Sequence, residues 1–307
     1  TTTFVVQEVA AAPVFSVAAG SYVTSVLVGV STTTPGGVVH YTVDGSEPTA
    51  TSPTASLLSP IELSTPASTY TIRAVTLAAG FFDSPVVPAS YDVLDVVATP
   101  AVSGAGTYIG TTTVSFSCAT PGCVIHYTTD GSTPSDASAV VPSSGVVTFD
   151  TAGVRSILAL GVKPGLWQQS SVSSPISVTV LNQPATPVLS PTTGPFVLSG
   201  DVAITSSTQD AAIYYTTVLG DTPTAASTLY TGPITLDNVG NTQYINAIAI
   251  VDGALWTPSG VASGSYEIQD RVAEVVISPA GGPVLATDTV TLSTATDSTT
   301  IYYTTVE

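Results

Sequence analysis

His40, His126, a scatter of carboxylates and one cysteine pair are the groups in this 307-residue sequence whose side chains could do chemistry. A histidine can act as a general base or a metal ligand. Both histidines, however, occupy one position of a recurring phrase in which Tyr214 and Tyr302 stand elsewhere, and a position that exchanges His for Tyr wants a flat amphipathic ring. No Ser-His-Asp group assembles around either, and zinc needs several ligands together. Asp44, Glu47, Asp130 and Asp136 fall on separate turns, whereas glycoside hydrolysis needs two carboxylates facing across a cleft. The sequence therefore assigns no catalytic residue and no cofactor. A structural Ca2+ is the one metal its acidity would attract, but it has no Asp-x-Asp-x-Asp loop, so the acidic residues read as turn residues.

Cys118 and Cys123 bracket Ala-Thr-Pro-Gly between two strands. The expectation is a disulfide across the mouth of a hairpin, stabilising by roughly 2 kcal/mol through loop closure and persisting only outside the cytosol. Aromatic residues recur before the last strand of successive repeats: Phe81 and Phe82 after Gly80, Trp167 after Gly165, and Trp256 near Gly253. Such rings either stack on sugars or pack at the junction with the neighbouring domain, and packing is the expected role. Asp44-Gly45 and Asp130-Gly131 supply the positive φ that a tight turn demands.

The elements that must position these residues are strands. With 4 Lys and Arg against 21 Asp and Glu, net charge −17, the chain cannot neutralise phosphates, which excludes nucleic acid and anionic membrane as partners. Hydrophobic residues at 44% exclude an acidic disordered tail. No apolar run is long enough to cross a bilayer. Thr and Ser, with 25 Gly and 23 Pro, describe β-branched strands separated by turns.

One phrase occurs four times, as Val39-His40-Tyr41-Thr42, Ile125-His126-Tyr127-Thr128, Ile213-Tyr214-Tyr215-Thr216 and Ile301-Tyr302-Tyr303-Thr304. Tyr41, Tyr127, Tyr215 and Tyr303 lie 86, 88 and 88 residues apart, a period that suits a small β-sandwich and is too long for a solenoid. Alternating pairs precede each phrase: Val28/Val30, Val114/Phe116, Val202/Ile204 and Val290/Leu292. Strand, tight turn and strand read as a hairpin. The fold class is all-β, tandem immunoglobulin-like β-sandwich domains in an elongated array. Residues 1–10 are the closing strand of a preceding unit, 11–96, 97–183 and 184–271 are repeats 1 to 3, and 272–307 is a partial repeat 4. No Gly/Ser-rich spacer separates them, so the linkers should be short and extended. The absence of Met and the half repeats at both ends suggest a piece of a longer repeat protein, and strands from another copy are a further way to complete repeat 4.

Tyr127-Thr128-Thr129-Asp130-Gly131-Ser132-Thr133-Pro134, Ser117-Cys118-Ala119-Thr120-Pro121-Gly122 and Tyr230-Thr231-Gly232-Pro233-Ile234 resemble the chitobiase/β-hexosaminidase C-terminal-like domain. Repeat 2 matches best, and repeat 3 departs at Val218-Leu219-Gly220-Asp221. The resemblance implies an accessory module of surface and secreted proteins, immunoglobulin-like or fibronectin-III-like, with no catalytic residues of its own.

The expected function is a non-catalytic stalk or filament component at the cell surface or outside the cell. Its expected partners are neighbouring copies or further repeats, with polysaccharide as an alternative. The rival readings are a carbohydrate-binding region of a secreted glycoside hydrolase and an adhesin. Aromatic residues exposed in one plane would favour sugar, and aromatic residues held at domain junctions a stalk.

Overall fold

The computed structural model describes residues 6–305. Residues 1–5, part of the segment 1–10 assigned above to a preceding closing strand, lie outside the described residues. Among the described residues there is no helix. The chain divides into two compact units, residues 1–180 and 181–307.

Repeat 2 shows the plan. Alternation in strand Thr112–Ser117 buries Val114 and Phe116 and leaves the residues between them outside, which is the period-2 pattern of a strand with one face in the core. This strand lies between Ala101–Ser103 and Ser144–Phe149 in a three-stranded antiparallel sheet. The second sheet runs in the order Gly106–Ile109, Ile176–Leu181, Gly153–Val162, Val124–Thr128, Ala139–Val141. Val114, Phe116, Ile125, Ile157, Ala159 and Val178 meet between the two sheets. Two sheets closing over one apolar core make an immunoglobulin-like sandwich.

Repeats 1 and 3 are built alike, around Val28, Val30, Ile72, Tyr91 and Val93 in one and Val202, Ile204, Ile245, Tyr266 and Ile268 in the other. In both, the chain first pairs antiparallel with one sheet, then kinks and joins the other. Val14–Phe15 pairs with Val30–Ser31, after which Gly20–Val23 runs parallel to the last strand, Val87–Val96. Val188–Ser190 and Gly194–Val197 repeat this switch against Gly200–Thr205 and Ala262–Gln269. A buried tyrosine pins each kink: Tyr91 Oη donates to Val17 O at 2.9 Å, and Tyr266 Oη to Pro191 O at 2.8 Å.

The expected hairpin is wrong. Thr112–Ser117 and Val124–Thr128 lie in opposite sheets, because Val114 and Phe116 face Ile125 across the core and the turn between them must cross from layer to layer. The same holds for Val26–Val28 and Val38–Thr42 in repeat 1. In repeat 4, Val276–Ser278 pairs antiparallel with Thr291–Ser293.

Candidate functional site at the repeat junctions

Phe81, Phe82 and Trp167 lie in short strands that each pair with the segment leading into the same repeat, and Trp256 meets the equivalent segment through an isolated bridge. Glu8 and Val9 run parallel to Phe81 and Phe82, and Asp95 and Val96 run parallel to Trp167 and Gln168. Asn182 forms a parallel bridge with Trp256. Ladder bonds extend the pairing: Ala10 N–H donates to Phe82 O, Val97 N–H to Gln168 O and Asn182 N–H to Leu255 O, at 2.8–2.9 Å. Strand Val87–Val96 therefore belongs to two repeats. Through Val93 it pairs with Ser68–Leu77 of repeat 1, and its last two residues pair with repeat 2.

Trp167 is half-buried, packs on the repeat 2 core and lies under Lys163, whose Nζ stands 3.8 Å from the ring centroid. Trp256 and Phe81 are also half-buried, and Phe82 is 59% exposed. The four rings thus sit at equivalent places in three successive repeats, each beside the segment that enters its own repeat.

A second contact fixes each entry segment. Ala98 N–H donates to Thr120 Oγ1 at 2.9 Å, and Ala11, Ala185 and Ala273 do the same to Thr34, Thr208 and Thr296 at 2.7–2.8 Å. Thr34, Thr120 and Thr208 sit in turns that cross between sheets, and Thr296 follows strand Thr291–Ser293 of repeat 4. Two residues before Thr34 and Thr296, Thr32 Oγ1 donates to Ala11 O at 3.3 Å and Thr294 Oγ1 to Ala273 O at 2.9 Å. In repeat 2 that place is Cys118, whose Sγ lies 3.5 Å from Ala98 O. Cys118 and Cys123 form a disulfide with Cα atoms 6.5 Å apart. It closes the turn between two sheets, not a hairpin ladder. Cys123 is buried in the core with Val97, so in repeat 2 a disulfide internal to the turn stands where repeats 1 and 4 have a hydroxyl bonded to the entry segment.

Asp44-Gly45 and Asp130-Gly131 hold the other end of the Tyr phrase. Gly45 and Gly131 have φ of 79° and 82°, a region that side chains with a Cβ enter at a cost. Asp44 Oδ1 accepts from Ser46 N at 3.0 Å and from Ser46 Oγ at 2.6 Å, and Asp130 does the same with Ser132. The serine hydroxyl and amide hold both carboxyls below the ordinary aspartate range. In repeat 3, Asp221 N–H donates to Val218 O and Asn246 Nδ2 reaches the same carbonyl, so a different turn serves there.

His40 and His126 lie on equivalent strands in separate repeats. His40 Nδ1 is 2.9 Å from Ser52 O, and His126 is buried with Nδ1 unpartnered among the described residues. Among those residues no three of His, Cys, Asp or Glu gather as metal ligands. Arg73 pairs with Glu47, and Asp44 and Asp130 lie in different repeats.

The sequence reading missed the threonine clamp and a set of buried serines. Ser84, Ser170 and Ser259 each accept, through Oγ, the N–H of Thr76, Gly161 and Ala249 at 2.8 Å, and each donates its own N–H back to the same residue. The signal was present in the period: Ala11, Ala98, Ala185 and Ala273 recur at spacings of 87, 87 and 88, as do their threonines at 86, 88 and 88.

A family model described as the chitobiase/beta-hexosaminidase C-terminal domain matches residues 17–88, 103–174 and 191–259. No curated protein matches the chain. Similar solved structures include the FN1–FN3 domains of chicken CNTN1, with 11% identity, 84% of this chain and 99% of that one covered, and a TM-score of 0.22. Extracellular domains 3–5 of Drosophila OTK match with 10% identity, 81% and 95% coverage and a TM-score of 0.30. The fibronectin(III)-like modules of Clostridium thermocellum CbhA match with 14% identity, 56% and 95% coverage and a TM-score of 0.25.

Proposed function

The chain belongs to the chitobiase/β-hexosaminidase C-terminal domain family, and from that premise we propose that it is a non-catalytic spacer, a stalk segment of a protein at the cell surface or outside the cell. One observation carries this reading: strand Val87–Val96 leaves repeat 1 and enters repeat 2 without a break, paired on one side of the boundary with Ser68–Leu77 and on the other with Trp167–Gln168. A module that must move freely to find a ligand is joined by a compliant linker, whereas a spacer gains from a junction whose backbone is already hydrogen-bonded. The disulfide favours an oxidising compartment.

The placement of the aromatic residues supports the spacer over the carbohydrate-binding reading. Trp167 and Trp256 are half-buried beside the segments that enter their repeats, where a sugar ring could reach only part of each face. Two measurements test the proposal together. Solution scattering should give an extended particle whose largest dimension grows in proportion to repeat number, and titration with chitin and cellulose oligomers should leave tryptophan emission unchanged. A compact particle would count against the spacer, and a saturable emission shift would move the reading to carbohydrate binding.

A further inference from the structure

Resting on the spacer reading, we infer that the repeats are load-bearing: tension along the chain is resisted by terminal strands arranged to be sheared. In repeat 1 the early strand Gly20–Val23 runs parallel to the closing strand, with Gly20 opposite Tyr91 and Val23 opposite Leu94. A pull on the chain draws the early strand from its N-terminal end and the closing strand from its C-terminal end. Those ends lie at opposite ends of a parallel pair, so the two strands are drawn past one another and their hydrogen bonds are loaded together. In an antiparallel pair of terminal strands the same pull would open the ladder one bond at a time.

Further hydrogen bonds reinforce this pair. Thr24 N–H donates to Leu94 O at 2.9 Å, Ser21 Oγ reaches Asp92 Oδ2 at 3.4 Å, and Tyr91 Oη bonds Val17 O at the kink. Repeat 3 has the same construction: Gly194 to Val197 lie opposite Tyr266 to Gln269, Leu198 N–H donates to Gln269 O at 2.8 Å, and Thr193 Oγ1 donates to Ser265 O at 2.9 Å. In repeat 2, Gly106–Ile109 lies beside Ile176–Leu181. Between repeats 1 and 2 there is no slack to absorb extension. The strand that is sheared in repeat 1 through Leu94 is bonded to repeat 2 from Asp95 onward, and Ala98 is held by Thr120.

The test is single-molecule force spectroscopy on the full chain in two geometries. With handles at the two chain ends, repeats 1, 2 and 3 should unfold as separate high-force events. Repeat 2 is identified by the disulfide: reduction should lengthen its extension by about 12 Å, from 5 residues at roughly 3.6 Å each less the 6.5 Å already spanned. In the second geometry, Ser25→Cys carries one handle through a thioether and the C-terminus the other. Ser25 is exposed and adjoins the Val23 end of the early strand, so both loaded points of repeat 1 lie at one end of the parallel pair and its bonds open in turn.

The expected result is that repeat 1, recognised by its shorter extension, drops to a lower force than repeats 2 and 3 in the same trace. The Ser25→Cys chain with its thiol capped, pulled by the ends, should keep the high-force event. Equal forces for repeat 1 in both geometries would overturn the load-bearing inference and leave the spacer reading standing. A compact particle in scattering would overturn the spacer reading and the inference that rests on it.

Discussion

Thr120 Oγ1 accepts the Ala98 amide at 2.9 Å, and this bond joins the turn that crosses between the sheets of repeat 2 to the segment that enters it. Thr120 is buried and Ala98 half-buried, so removing the hydroxyl leaves the Ala98 amide without its partner. Thr120→Val should cost about 1–3 kcal/mol in chemical denaturation. Thr120→Ser should restore most of the loss, and amide exchange at Ala98 should quicken only in the valine variant.

Gly161 stands against Cys123 and the entry segment. A Cβ there would meet Val97 Cγ1 at 2.9 Å, Ala98 O at 3.1 Å and Cys123 Sγ at 3.2 Å. Gly161→Thr should therefore destabilise repeat 2 by about 1–3 kcal/mol through overpacking. Repeat 1 has the reverse arrangement, Thr76 facing Gly37 with Ala10 in the place of Val97. Adding Cys118→Thr, Cys123→Gly and Val97→Ala to Gly161→Thr should remove most of the clash, a coupling that a mutant cycle on thermal or denaturant stability measures. The rescued chain would still lack the disulfide's own contribution of roughly 2 kcal/mol.

Asp44 and Asp130 are held below the ordinary aspartate value of 3.8 by Ser46 and Ser132. A carboxyl whose folded pKa is depressed stabilises the fold above its unfolded pKa, and that stabilisation is lost as pH falls through the folded pKa. Carboxyl-detected titration should place both midpoints under 3.8, and Ser46→Ala should raise the midpoint of Asp44 while leaving that of Asp130 in place.

Burial pushes the Tyr91 hydroxyl up from its ordinary value of 10.0, with Tyr22 adding to the effect. Because the folded pKa is raised, this contribution is complete below the unfolded pKa and disappears as pH rises through the folded one. Alkaline denaturation should show this loss in the native chain. Tyr91→Phe should reduce it, with a cost near neutral pH of about 0.5–1.5 kcal/mol from the lost bond to Val17 O.

The sequence by itself determined the strand content, the period near 87 residues, the core positions and the cysteine pair. Alternation such as Val114/Phe116 reports which face is buried, and a phrase returning at Tyr41, Tyr127, Tyr215 and Tyr303 reports the repeat, because both are local patterns. What it could not determine was which strands share a sheet. A strand–turn–strand pattern looks the same whether the turn closes a ladder or crosses the core, and only the packing of Phe116 and Ile125 into one core between two sheets decides for the crossing.

The tertiary structure also decided what the residues of the junction do. Ala98 and Thr120 carry no individual signal, and Gly37 with Thr76 and Cys123 with Gly161 look unrelated until the fold sets the members of each pair against one another. There the sizes compensate: small with large in repeat 1, and large with small in repeat 2. Side-chain volume is conserved across a contact and not along a chain, so contacts between residues dozens of positions apart become legible only once the backbone has brought them together.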